Sequence, residues 1–167
     1  PALARAVFAD LQERLRGCDE RIGEYDRRIS ALARSSEPAQ RLMRVEGVGP
    51  LTATALLATA GDGRQFRNAR QFAAWLGLVA RQRSSGGKAC HGRITKRGDV
   101  YLRTLLIHGA RALMRHLDGR QDRKRQWVLA LKARRGFNKA AVALAAKHAR
   151  LLWALLTRGT TDQVAGA

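Results

Sequence analysis

Ala4, Phe8, Leu11, Leu15, Cys18, Ile22, Tyr25, Ile29 and Leu32 follow one another at alternating spacings of four and three. That alternation is the repeat of a coiled-coil seam, and it commits residues 1–35 to one long helix. Arg, Glu and Asp fill the positions between, so the remaining faces are almost wholly polar. Such a helix gains most by burying its seam against another helix. Pairing between chains through residues 4–32, or a hairpin with a further helix, is therefore expected over a single docking onto the body. Cys18 fits the seam as a small hydrophobe.

The charge changes sharply beyond this helix. Residues 1–46 hold nine Arg or Lys against eight Asp or Glu, whereas residues 47–167 hold 23 against five. The formal net charge of the whole chain is +19. Solubility needs far less, so a polyanion is the expected partner, with nucleic acid first. A hydrophobic share of 46% excludes a disordered tail, and an aromatic share of 5% beside abundant Ala, Leu and Arg favours helices. No apolar run reaches the length of a membrane span, and no signal peptide is visible. Cys18 and Cys90 form no CxxC, which fits a reducing cytoplasm. Pro1 in place of Met reads as a fragment of a longer protein.

A compact helical domain is expected over 36–160, with a frayed tail at 161–167. Ser36 can cap a short helix with Pro38 in its first turn, ending before Gly47. "GVGP" turns the chain, and Pro50 opens a helix to about Ala60. Helix, tight glycine turn and helix read as a helix-hairpin-helix motif. Gly47 and Gly49 would let a phosphate approach the backbone, beside amides at a helix start. Asn68 and Asp99 are expected to cap further helices, with Phe72, Ala73 and Leu76 on one inner face and Leu102, Leu106 and Ala110 on another. A helix follows over "RKRQWVLALKARRG". Asn138 is expected to cap a last, nearly apolar helix at the centre of the bundle.

Between Val79 and Gly98 the apolar pattern lapses into an ordered loop or short hairpin, "RQRSSGGKACHGRITKRGD". Arg81, Arg83, Lys88, Arg93, Lys96 and Arg97, with Arg103 on the next helix, can bind phosphate. Gly86 and Gly87 admit close backbone approach. Ser84 and Ser85 are hydroxyls that need activation to act as nucleophiles. His91, His108, His116 and His148 show no metal-site spacing, so no metal is expected here. Five acids after residue 46 are too few for a two-metal nuclease, and no phosphate-cradling GxxxxGK[ST] loop supports ATP use. On residue types alone, a basic phosphate-binding loop outweighs a nucleophile loop.

The ordered set "GVGPLTA", "GDGRQFRNARQFAAWLGL", "RQRSSGGK", "GRITKRGDVYLR" and "NKAAVALAAKHARLLWALL" resembles the C-terminal transposase domain of the bridge-RNA-guided insertion-sequence transposases. These serine recombinases also carry a RuvC-like domain. The resemblance covers about residues 43–157, and residues 4–34 resemble the family's helical linker. One departure is Ala80-Arg81, where the family often has Pro-Arg. The resemblance implies that Ser85 is the nucleophile, with Ser84 next in line. It implies DNA and a guide RNA as partners, and Mg²⁺ held by the RuvC-like domain rather than by any cofactor site here. It further implies an active site shared between protomers, so that this chain alone would not recombine DNA. A non-catalytic helix-hairpin-helix module and a pure assembly element are the alternatives.

Overall fold

The computed structural model describes residues 1–85, 88–117 and 122–158, with the side chains of 83–85, 88–91 and 158 excepted. The expected residues 161–167 tail lies outside them.

Helix α1, Ala2–Ser35, is one unbroken rod of 34 residues, about 50 Å long. Only its last turns, around Ile29 and Ala33, pack against the body. The seam beyond is bare: Phe8 is 71% exposed, Leu15 65% and Ile22 59%. Cys18 lies exposed on it.

Helices α2, Glu37–Met43, and α3, Pro50–Ala60, follow. The Ser36 hydroxyl caps α2 by accepting the Ala39 amide, and Pro38 sits in its first turn. Helix α4, Ala69–Trp75, is capped by Asn68, whose side-chain oxygen accepts the Gln71 amide. Its Phe72 is fully buried and meets Phe66 edge-on, with Trp75 stacked on Phe72 and tilted against Phe66. Phe72 is core, as its spacing predicts, and Phe66 joins it there while Trp75 is half-buried.

Two antiparallel strands come next, β1, Ala80–Ser85, and β2, Lys88–Ile94. The stretch that reads as a loop or hairpin is a hairpin. Its strands carry no alternating apolar pattern, and Ile94 at the end of β2 packs against the core.

Helix α5, Val100–Arg115, starts at Asp99, whose carboxylate accepts the Leu102 amide at 2.8 Å. It buries Leu102, Leu106 and Ala110. Helix α6, Arg123–Arg135, is capped by Asp122 and ends at Gly136. Helix α7, Phe137–Arg158, runs through the centre of the bundle, packing on α2, α4, α5 and α6. Ala140, Ala141, Leu144, Ala145, Ala149, Leu152 and Leu155 are its buried face. Its length and apolarity match a membrane span, but that apolarity is spent on the core. Asn138 does not cap it. The helix already begins at Phe137, and the Asn138 side-chain oxygen instead accepts a 2.7 Å bond from Arg111 of α5.

Candidate nucleic-acid interface

The β1–β2 hairpin stands on a clamped base. Beyond α4 the chain turns at Gly77, and the Leu78 amide donates back to the Ala73 carbonyl. The Thr95 amide donates to Val79 O at 2.9 Å and the Lys96 amide to Gly77 O at 3.1 Å. Gly98, at φ +108°, lies so close to α4 that a Cβ there would overlap the Trp75 carbonyl. Only glycine fits that approach. Asp99 then starts α5 at once. Both feet of the hairpin are thus fixed, one by the end of α4 and the other by the start of α5.

Arg103 belongs to this clamp. It is expected among the nucleic-acid ligands, but its side chain is buried. Its Nη1 donates to Leu76 O at 3.0 Å and Asp99 O at 3.4 Å. The guanidinium there satisfies the carbonyl that ends α4.

The arms above the base run in a fixed register. Ala80 pairs with Ile94, but Gln82 pairs with His91, so one extra β2 residue is accommodated opposite Arg81. That bulge adds local twist. Arg83 then faces Cys90, Ser84 faces Ala89, and Ser85 faces Lys88. The backbone therefore brings Ser84, Ser85 and Lys88 together at the far end of the hairpin. Gly86 and Gly87, between them, lie outside the described residues, and so do the side chains of Arg83, Ser84, Ser85 and Lys88.

Arg81 is exposed and donates Nη2 to Thr95 O at 3.3 Å. Arg93, Lys96 and Arg97 are exposed, and among the described residues none pairs with a carboxylate. Lys96 adopts a left-handed φ of 56°. Asp99 is the sole acid between residues 63 and 117, and its carboxylate is occupied by capping. Positive charge therefore predominates around the hairpin. Among the described residues no group of three His, Cys, Asp or Glu gathers that could hold a metal ion.

The turn between α2 and α3 is the second element of interest. Gly47, at φ +83°, is exposed. Its position is set by α5, where an added Cβ would sit 2.6 Å from Gly109 O. Gly49 differs: it precedes Pro50 at the start of α3, with open space around it. Both glycines are exposed, and they differ in that only Gly47 packs against α5. Glu46 pins the same turn from another side, accepting bonds from Lys124 Nζ at 2.6 Å and Arg125 Nη2 at 3.1 Å. The Lys124 bond holds its carboxyl below the usual range, against some desolvation. His148 of α7 lies buried nearby, and burial, with Lys124 next, pushes its pKa down to about 4.

Sequence reasoning missed Glu46, Lys124 and Arg125 as a unit. Nearly eighty residues separate the partners, and no local pattern links them.

Residues 39–126 match the family described as Transposase IS116/IS110/IS902 family. A "Probable family 20 transposase" of Pseudomonas aeruginosa is 52% identical over 96% of this chain and 47% of its own length. The "Transposase for insertion sequence element IS1111A" of Coxiella burnetii is 51% identical over 94% of this chain and 43% of its own length. In Yersinia enterocolitica, the "Transposase for insertion sequence element IS1328" is 41% identical over 84% of this chain and 42% of its own length. The chain thus spans less than half the length of these relatives. The match covers α2 to the start of α6, with the clamped hairpin at its middle, and the chain belongs to the IS116/IS110/IS902 transposase family.

Proposed function

We propose that this chain is the DNA-handling part of a transposase and that its hairpin delivers Ser85 to a DNA phosphodiester. The observation that carries the reading is the hairpin itself. Ser84 and Ser85 end β1, on arms whose feet are fixed and whose described cations lack carboxylate partners. A serine nucleophile needs such a setting, because attack on phosphorus places negative charge on the phosphoryl oxygens.

In this reading the Ser85 hydroxyl loses its proton to a base as Oγ bonds to phosphorus. The bond from phosphorus to one sugar oxygen breaks, and that oxygen takes a proton to become a free hydroxyl. A phosphoserine ester to DNA remains. A hydroxyl from a second strand then attacks the same phosphorus and releases the serine. One phosphoester replaces another at each step, so no ATP is consumed. Arg81, Arg93, Lys96 and Arg97 hold the backbone, and Arg83 and Lys88 extend that set towards the tip. Ser84 takes the role if Ser85 does not.

The turn from α2 to α3 acts as a helix-hairpin-helix, offering the open backbone at Gly49 and the first amides of α3 to a phosphate. Carboxylates for Mg²⁺ come from a RuvC-like part of the protein, a guide RNA sets the target, and α1 pairs protomers. The chain alone is therefore inactive. The test is strand exchange by the full-length protein with Ser85→Ala. Loss of exchange with DNA binding retained supports the reading, and full exchange removes Ser85 from the mechanism.

A further inference from the structure

From Arg123 to Arg158 the sequence holds ten Arg or Lys and no Asp or Glu. Part of that charge is spoken for. Lys124 and Arg125 hold Glu46. Lys132, Arg134 and Arg135 complete the last turn of α6, where cations favour the helix dipole. Neither reason covers the cations of α7. Lys139 and Arg150 are exposed and Lys147 is half-buried, at spacings that put all three on one side of the helix. The stripe is about 16 Å long. Ala143 and Ala146, on the same side, leave it low between the cations.

A helix face kept merely soluble mixes both signs, with acids one turn from bases. This one has no acid at any position. Among the described residues, Lys139, Lys147 and Arg150 pair with no carboxylate. Lys147 is also positioned, its ammonium 5.3 Å over the ring of Trp127 on α6. Trp127 is 39% exposed and flanks the stripe.

We infer that the Lys139–Lys147–Arg150 stripe is a second DNA-binding surface, separate from the hairpin, that tracks the phosphate backbone of a duplex without reading its sequence. Its length matches about five base steps of one strand. The inference rests on the DNA-handling reading above but not on either serine.

The test is binding of random-sequence duplex DNA by the full-length protein, measured by fluorescence anisotropy across a salt series. The combined Lys139→Gln, Lys147→Gln and Arg150→Gln variant should lower the slope of log affinity against log salt by about 2 to 3. Its melting temperature should stay near that of the parent, since these side chains lie outside the core. Charge-keeping changes, Lys139→Arg, Lys147→Arg and Arg150→Lys, should keep the parental slope. An unchanged slope in the glutamine variant overturns the inference. So does a loss confined to an RNA hairpin probe. The assay does not read covalent attachment at serine, so failure of the serine mechanism would leave its outcome standing.

Discussion

Gly47 and Gly109 each occupy the space the other's side chain would need. A Cβ on Gly47 would meet the Gly109 carbonyl, and one on Gly109 would overlap the Gly47 carbonyl. The turn before α3 is therefore seated on the backbone of α5, the helix whose N-terminus anchors the hairpin. Two candidate DNA-contacting elements share one support.

Replacing Gly109 by Ala should cost about 2–4 kcal/mol, because backbone must move to admit the methyl group. Gly47→Ala adds a left-handed φ to the same clash and should cost at least as much. Gly49→Ala meets nothing and should leave stability nearly unchanged. Urea unfolding of the three variants checks the order.

Acid should destabilise the fold before the bulk of its carboxylates titrate. His148 has its folded pKa pushed below the ordinary 6.5 to about 4. The unfolded chain therefore binds more protons between those values, and stability falls as pH drops from 6.5 to about 4. The full loss is about 3 kcal/mol. Glu46, also depressed, acts in the same direction at lower pH, its pairing lost as the carboxylate protonates. His148→Leu should flatten the slope above pH 4, as followed by melting temperature against pH.

The bare seam of α1 predicts association. Leu15→Glu with Ile22→Glu places charge on two exposed seam positions and leaves the rest of the helix unchanged. Sedimentation equilibrium should show a self-associating parent and a monomeric variant. Equal masses would leave α1 without a pairing role.

How much of this was legible in the sequence follows from the range of each interaction. The caps at Ser36, Asn68 and Asp99 are local, and each sits where its residue type predicts. The α1 seam and the α7 core face are periodic, so they too are visible. Asn138 shows the limit of local reading. It has the chemistry of a cap, but Gly136 already turns the chain, and Arg111 from α5 claims the side chain. Arg103 reads as a phosphate ligand by type and is a structural donor by position. Gly47 reads as a phosphate-binding glycine, and its packing on residue 109 of α5 is invisible in one dimension. The serine hairpin has no periodic apolar signal in its sequence. Motif resemblance carries Ser85, where periodicity could not.

Salt should govern binding through the hairpin. Arg93→Gln, Lys96→Gln and Arg97→Gln together should weaken binding to DNA of any sequence and reduce the salt slope by about 2 to 3. Arg103→Gln should behave differently. It should lower the melting temperature, because Leu76 O loses its buried donor. A pure binding defect in that variant, with stability intact, would return Arg103 to the interface.

The most direct measurement is capture of the covalent intermediate. The full-length protein is incubated with a nicked suicide substrate that prevents religation, and the adduct is digested and mapped by mass spectrometry. The account predicts a nucleotide phosphate on Ser85, absent in Ser85→Ala and present in Ser84→Ala. Attachment at Ser84 would shift the nucleophile by one residue. Robust strand exchange with no serine–DNA adduct, and undiminished in the Ser84→Ala, Ser85→Ala double variant, would contradict it.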